Sequence, residues 1–169
     1  MRPFALALAL LLGASAQAAA QAQGEHFTHA DSLRGSLTAP ARTWWDVTYY
    51  DLAVRVSPAD STISGRTGIT YRVVHQPAPE MQIDLQQPLV VDSMIQDGHA
   101  VRYRRDGNAF FATTTAGQAV GSTNTITVYY HGKPRVAKRP PWDGGFIFVQ
   151  DSLGRPWVAT AVQGLGASA

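Results

Sequence analysis

The chain has five histidines, whose imidazoles could bind metal ions or transfer protons near neutral pH. Two of them, His26 and His29, are close together in the string EHFTH. The zinc motif H-E-x-x-H needs histidines four residues apart on a helix, with the glutamate between them. Here the histidines are three apart and Glu25 precedes both. The string predicts exposed, uncoordinated histidines and no zinc site.

Carboxylate pairs for acid–base catalysis are equally scarce. Four aspartates fall in turn sequences, where the side chain accepts hydrogen bonds from the nearby backbone, and these are Asp60, Asp97, Asp106 and Asp151. Asp143, in PPWDGG, lies between an aromatic residue and two glycines, and a turn role is favoured over catalysis there. The string GLGAS lacks the third glycine, the preceding parallel sheet and the following helix of a dinucleotide site, and no G-x-S-x-G elbow occurs. The residues themselves predict no catalytic machinery.

Composition excludes several further classes of function. The absence of cysteine rules out disulfides, iron–sulfur clusters and thiolate zinc sites. The net charge of +2 reflects a small excess of basic residues, whereas a nucleic-acid footprint is larger and clustered. The nearest approach to a basic cluster is interleaved with prolines and predicts a solvated loop; its members are Lys133, Arg135, Lys138 and Arg139. We expect no nucleic-acid partner.

The four tryptophans suggest a different activity. Flat aromatic rings that stay partly exposed can stack on sugar faces, so Trp44, Trp45, Trp142 and Trp157 are candidates for a carbohydrate-binding platform. The alternative is that they pack against the ends of the domain or against a neighbouring domain. The sequence leaves both interpretations open.

The N-terminus has the layout of a secretory signal peptide. A short basic start is followed by an apolar run at residues 4–12 and by small residues suited to cleavage at residues 14–22. The run is too short to cross a bilayer, which takes roughly 20 apolar residues. No cysteine follows the run, so we expect no lipid anchor. Residues 1–22 are therefore predicted to be a signal peptide of an exported protein, periplasmic or secreted, and residues 23–44 a flexible lead-in.

From Trp45 onward the pattern is that of β-strands. In DVTYYDLAVRVS one face carries Tyr50, Leu52, Val54 and Val56, and in STISGRTGITYRVVH one face carries Ile63, Ile69, Tyr71 and Val73. Shorter alternating segments follow, with tight turns at Asp97-Gly98 and Asp106-Gly107 and a last hairpin that ends in WVATAVQ. No window keeps helical spacing. The pattern predicts an all-β, antiparallel β-sandwich over residues 45–169.

Three stretches carry a resemblance to a known family. They are WWDVTYYDLAVRVSPADSTISGRTGITYRVV, MQIDLQQPLVVDSMIQDG and ITVYYHGKPRVAKRPPWDGGFIFVQDSLGRPWVATAVQGLGAS. In this order they resemble the N-terminal domain of aminopeptidase-N-like zinc metallopeptidases, the family that includes the leukotriene hydrolase. The resemblance implies a saddle-like β-sandwich that packs against a thermolysin-like catalytic domain. It covers the chain from about Trp45 to Ser168.

The resemblance also implies where function lies. In that family the segment similar to TAVQGLGAS leads into a catalytic domain that holds the zinc ligands, the general base and a transition-state tyrosine. We therefore expect no cofactor in this chain, zinc in the missing catalytic domain, and no catalysis by the chain alone, which would be severed before that domain. Gln163 corresponds to the residue that binds the free amino group of the peptide substrate, and Gly164 and Gly166 would let backbone approach it.

Two other functions stay open. One is a stand-alone secreted module that binds carbohydrate through the tryptophans. The other is an interaction sandwich whose last hairpin pairs with a protein partner, because Trp157, Val158 and Val162 would form an uncovered apolar edge.

Overall fold

The computed structural model describes residues 39–115 and 117–162. One short helix, α1 (Pro40–Thr43), precedes ten strands. These are β1 (Trp45–Ser57), β2 (Thr62–Val73), β3 (Met81–Asp84), β4 (Val90–Gln96), β5 (His99–Ala100), β6 (Tyr103–Asp106), β7 (Ala109–Ala112), β8 (Thr123–Gly132), β9 (Gly145–Gln150) and β10 (Pro156–Ala161). The strands within each sheet pair antiparallel.

The strands form three sheets around one core. A five-stranded sheet has the order β1-β2-β8-β4-β5, a three-stranded sheet the order β3-β7-β6, and β9 and β10 form a hairpin. Apolar side chains of the two larger sheets, such as Ile126 on β8 and Phe110 on β7, belong to the same buried cluster. The predicted all-β, antiparallel β-sandwich is confirmed.

The central strand β2 follows its sequence pattern. Its predicted inward residues Ile63, Ile69, Tyr71 and Val73 are all buried. The turn at Asp97-Gly98 is confirmed too, since both residues have positive φ angles, 52° and 76°, as a two-residue type I′ hairpin loop requires. The tight turn predicted at Asp106-Gly107 lies one residue later, because Asp106 still pairs with Ala109 and the two loop residues are Gly107 and Asn108.

Strand β1 differs from its sequence pattern in burial. Its alternating residues Tyr50, Leu52, Val54 and Val56 are 40–64% exposed, although the pattern predicts one covered face. β1 is an edge strand that pairs with β2 on one side only among the described strands. Alternation fixes the side of the sheet to which a side chain points, whereas burial needs an element on top of that side. No described element covers this part of β1.

The last residues of the predicted lead-in belong to the folded domain. Pro40–Thr43 form α1, with proline at the start of the helix where its missing N–H costs nothing. Trp44 is only 1% exposed, and its Nε1 donates to the carbonyl oxygen of Glu80 at 3.2 Å. The guanidinium of Arg42 pairs with the carboxylate of Asp84 at the end of β3. The flexible lead-in predicted for residues 23–44 therefore does not include residues 40–44, and residues 23–38 lie outside the described residues.

A buried polar network holds the loop between β7 and β8 against the core. The hydroxyl of Tyr71 donates to Oε1 of Gln118 at 2.6 Å and accepts from Nε2 of Gln96 at 2.8 Å. Oε1 of Gln96 in turn accepts from the backbone N–H of Thr115 at 2.9 Å. Burial raises the pKa of Tyr71, because a charged phenolate loses hydration there.

Candidate functional site

The β9–β10 hairpin leads directly to the predicted substrate-binding residues and has two different faces. Trp157 lies opposite Val149 on one face, and Val158 lies opposite Phe148 on the other. Phe146 packs against the core and stacks on Phe148 at 5.8 Å between ring centroids. The face of Trp157 and Val149, which we call the outer face, is 60% and 50% exposed at these residues. Val158 thus lies on the inner face, although the sequence grouped it with Trp157.

The loop that precedes the hairpin is organised by Asp143. One carboxylate oxygen accepts from the guanidinium of Arg135, and the other accepts from the backbone N–H of Lys138 at 2.8 Å. The backbone hydrogen bond from Lys138 and the ion pair with Arg135 lower the pKa of Asp143. An ionised carboxylate that ties both ends of a loop together has a structural role, in agreement with the turn role that the sequence favours.

Gly145 shows why the PPWDGG motif ends in glycine. The loop segment around Val136 forms a parallel bridge with Phe146, and Phe146 donates a backbone hydrogen bond to Arg135 at 2.8 Å. A Cβ on Gly145 would lie 2.7 Å from both the carbonyl oxygen of Arg135 and the backbone nitrogen of Ala137. The φ angle of 146° also disfavours any other residue. The PPWDGG motif therefore starts the hairpin at a fixed position against the loop.

A groove of about 210 Å³ lies beside the end of β10. Arg135, Gly145 and Phe146 line one part of it, and Thr160, Ala161 and Val162 line another. The predicted substrate-binding residues Gln163 and Gly164 follow immediately along the chain, but they lie outside the described residues. The described part of the site is thus the β9–β10 hairpin and the groove next to its last residue.

The turn between β9 and β10 is held by Asp151. Its Oδ1 accepts from the backbone N–H groups of Leu153 and Arg155 at 2.8 and 2.9 Å. Its Oδ2 accepts from Nε of Arg155 at 2.8 Å. The backbone hydrogen bond from Arg155 is the largest of the causes that lower the pKa of Asp151. The predicted turn role of this aspartate is confirmed.

The four tryptophans do not form one platform. Trp44 is buried in the core and meets Tyr71 edge-on at 6.0 Å, so its ring cannot stack on a ligand. Trp45 also packs against the core, and its Nε1 donates to the carbonyl oxygen of Ala41. Only Trp142 in the loop and Trp157 on β10 are exposed, at 75% and 60%. Trp44 and Trp45 therefore follow the packing interpretation: Trp44 directly precedes β1, Trp45 is its first residue, and both lie at the end of the core.

The described residues show no group suited to a metal ion. Within residues 39–115 and 117–162, no set of three or more histidine, cysteine, aspartate or glutamate side chains converges. His131 pairs with Asp92 alone, at 2.6 Å between Nδ1 and Oδ1. His26 and His29 lie outside the described residues. No helix in this part of the chain is long and apolar enough to span a membrane.

One feature of the surface had no signal in the sequence. A cleft of about 350 Å³ lies between the five-stranded sheet and β3, and its lining includes Trp45, Tyr50 and Tyr130. Arg42 and Asp84 line the cleft as well, and the Arg42 Nε is buried without a hydrogen-bond partner. The cleft depends on how far apart two sheets pack, which no local pattern encodes.

Comparison with solved structures identifies the fold. Native leukotriene A4 hydrolase from yeast matches with a TM-score of 0.59 and 18% identity, over 75% of this chain and 20% of the hydrolase. A second structure of native leukotriene A4 hydrolase, from Saccharomyces cerevisiae, gives 0.56 and 17%, over 79% and 22%. An M1 zinc metallopeptidase from Deinococcus radiodurans gives 0.51 and 22%, over 66% and 27%.

These matches show that the chain has the β-sandwich fold of the N-terminal domain of such zinc metallopeptidases. The chain spans only about a fifth to a quarter of the length of these enzymes, at 20% to 27%. No protein-family model matches the chain. No curated protein matches it either.

Proposed function

We propose that this chain is the N-terminal domain of an exported zinc-dependent aminopeptidase and that it hydrolyses no peptide by itself. The observation that carries the proposal is the shared fold, which extends over 75% of this chain and 20% of a much larger hydrolase. The PPWDGG loop and the hairpin that follows it supply the physical connection to the cleft of such an enzyme. In the complete enzyme the domain positions the amino end of the peptide.

The outer face of the β9–β10 hairpin is the proposed docking surface for the catalytic part. Trp157 and Val149 are directly opposite each other there, and both are at least half exposed. A pair of large exposed apolar side chains on a hairpin is typical of an interface that another domain covers. The inner face is already held by Phe146, so the hairpin can transmit a fixed position to the residues after Val162.

Gln163 is the proposed contact for the substrate. Its amide oxygen can accept a hydrogen bond from the ammonium group of a peptide, and a fixed ammonium places the first peptide bond at the reacting centre. Gly164 leaves room for the substrate backbone. Among the described residues no three histidine, aspartate or glutamate side chains converge. In the proposed enzyme the zinc that activates water would be held by the catalytic part.

The first experiment is to sequence the gene through codon 169 and onward in all three frames. We expect a continuation that encodes H-E-x-x-H, and the product of the joined reading frame should cleave amino-acid anilides in a zinc-dependent manner. A confirmed stop codon followed by unrelated sequence would contradict the proposal. The purified 169-residue chain serves as the control and should show no such cleavage.

The role of Gln163 is tested in the joined enzyme. Gln163→Ala should lower kcat/KM for peptides with a free amino end about 10-fold or more, the scale of a lost hydrogen bond to a charged group. Gln163→Glu should retain activity, because a carboxylate also accepts from an ammonium. Gln150→Ala, an exposed glutamine at the end of β9, is the matched control and should change little. Equal losses in Gln163→Ala and Gln150→Ala would indicate a merely structural role.

Export is tested by the N-terminal sequence of the protein recovered from outside the cytoplasm. We expect removal of residues 1–22. A protein that keeps Met1 and stays with the cytoplasmic fraction would contradict export.

A second candidate function is a stand-alone module that binds carbohydrate or protein. The exposure of Trp142 and Trp157 favours it, since both rings are available to a ligand. Oligosaccharides should then quench the fluorescence of the purified chain, and Trp142→Phe or Trp157→Phe should remove that part of the change. Trp45→Phe is the control, because its ring packs on the core.

A further inference from the structure

Strand β1 presents a long free edge. It runs for 13 residues, and among the described strands only β2 pairs with it. Residues from Tyr49 to Val56 are exposed on both faces of the sheet. Backbone N–H and C=O groups along such an edge are a template for a further strand, and edges of this length usually carry a feature that governs what pairs there.

The side chains of this edge are complementary to a second copy of themselves. Tyr49, Asp51, Ala53 and Arg55 point to one face of the sheet, and Tyr50, Leu52, Val54 and Val56 point to the other. Asp51 and Arg55 lie at equal distances on either side of Ala53. The guanidinium of Arg55 has no hydrogen-bond or ion-pair partner among the described residues, while Asp51 is bound by Arg66 at 2.6 Å.

We propose that two copies of this chain associate through antiparallel pairing of their β1 strands about a two-fold axis at Ala53. In this register Asp51 of each copy lies opposite Arg55 of the other, so two equivalent ion pairs form on one face of the sheet. On the other face Leu52 lies opposite Val54 and Tyr50 opposite Val56. Opposite charges and apolar pairs directly across two strands both stabilise the pairing.

Neighbouring registers are less favourable. Residues that lie opposite each other in an antiparallel pair point to the same face of the sheet. In a two-fold pair of β1 strands, the axis must therefore lie at a single residue, and each alternative register has its axis at a different residue of β1. An axis at Leu52 or Val54 leaves Asp51 and Arg55 without each other. An axis at Asp51 or Arg55 sets two like charges directly opposite. The irregularity in the pairing between Val47 and Tyr49 limits the regular edge to the part after it.

The association uses only residues of β1 and does not depend on the aminopeptidase proposal. It is tested on the full 169-residue chain by sedimentation velocity over a range of concentrations. The wild-type chain should show a reversible monomer–dimer equilibrium. Arg55→Asp places two aspartates opposite each other and should raise the dimer dissociation constant at least about tenfold, and Asp51→Arg should do the same with two arginines.

A mixture of these two variants is the decisive measurement. A chain with Arg55→Asp carries two aspartates at these positions and a chain with Asp51→Arg carries two arginines. A heterodimer therefore has two ion pairs again, Asp51 of the first chain with Arg55 of the second, and the introduced aspartate with the introduced arginine. The mixture should form a heterodimer at concentrations where each variant alone is monomeric. Recovery in the mixture also shows that both variants are folded. A wild-type chain that is monomeric at every concentration, or a mixture that stays monomeric, would overturn the proposal.

Disulfide cross-linking through a single introduced cysteine tests the register directly, because the chain has no cysteine of its own. Opposite residues of antiparallel strands have Cα atoms roughly 4.5–5.5 Å apart, within the range of a disulfide. Ala53→Cys should therefore give a disulfide-linked dimer under mild oxidation. Ser57→Cys, at the end of the same strand, lies opposite Tyr49 of the other copy and should not. Equal cross-linking of both variants would overturn the register.

Discussion

Strands β1 and β2 lie side by side and have nearly the same length and the same alternation of apolar residues, yet only the first residues of β1, Trp45 and Val47, pack against the core, and its apolar residues from Tyr50 to Val56 are exposed. On β2, Ile69 is 5% exposed, and on β1 its direct partner Tyr50 is 54% exposed. The difference comes from position, because β2 lies inside the five-stranded sheet and β1 lies at its edge. Alternation therefore predicts direction, and the neighbouring layer decides burial.

The largest expected effect is the different loss of stability when an apolar side chain is truncated to alanine on β2 and on β1. Ile69→Ala should lower the free energy of unfolding by about 2–5 kcal/mol, because it leaves a cavity in the core. Leu52→Ala, on the exposed face of β1, should change it by less than about 0.5 kcal/mol. Urea denaturation of dilute protein measures both. A similar cost at the two positions would show that the apolar face of β1 is covered in solution.

This comparison also shows how much of the fold the sequence contains. Local signals were sufficient for the alternation of β2, for the paired positive φ angles at Asp97-Gly98 and for the start of β1 at Trp45. The sequence left the burial of Trp44 open as one of two interpretations, because that burial depends on contacts with residues far along the chain, such as the hydrogen bond to Glu80, 36 residues away. The exposure of Leu52 was missed for the same reason, since it depends on which layer stops short of β1.

The candidate site divides in the same way. The turn roles of Asp143 and Asp151 followed from their dipeptides and neighbours, because such aspartates bind backbone within a few residues. The groove at the end of β10 requires the loop around Arg135 to meet the hairpin, and the 350 Å³ cleft requires two sheets to pack at a given distance. Gln163 was found only through the family resemblance, and its role stays a prediction.

Two glycines on β2 probe how closely β1 is held. A Cβ on Gly65 would lie 2.1 Å from the carbonyl oxygen of Ala53, so Gly65→Ala forces the two backbones apart. We expect it to lower the free energy of unfolding by about 1–3 kcal/mol, the usual cost of overpacking. At Gly68 the nearest atom is the Cβ of Asp51 at 3.4 Å, and Gly68→Ala should be neutral or slightly stabilising. Equal effects of the two changes in denaturation would show that β1 is loosely attached.

The Tyr71 network predicts a loss of stability at alkaline pH. Burial raises the pKa of Tyr71 above the value of about 10 that tyrosine has in an unfolded chain. As the pH rises, Tyr71 loses its phenol proton in the unfolded chain before it does so in the folded protein. The contribution of Tyr71 to the free energy of unfolding is therefore complete below pH about 10 and decreases as the pH rises toward the folded pKa. The free energy of unfolding, followed by urea denaturation, should decline less in this range for Tyr71→Phe than for the wild type. Tyr50→Phe on the exposed β1 should leave the decline unchanged, and an equal decline in all three proteins would contradict the assignment.

The smallest expected effect concerns the turn of the β9–β10 hairpin, which is the other region of the molecule with exposed apolar side chains. The hydrogen bonds from Arg155 and Leu153 lower the pKa of Asp151, so its contribution is complete above pH about 3.9, the value of a free aspartate, and is lost as the pH falls through the folded pKa. The amide resonances of Leu153 and Arg155 should therefore shift together with a midpoint below 3.9. In Asp151→Asn the same amides should stay constant, because the replacement side chain does not titrate. A midpoint at or above 3.9 would mean that the carboxylate of Asp151 does not hold the turn. The outer face of the hairpin, with Trp157 and Val149, would then need a docked partner to stay in position.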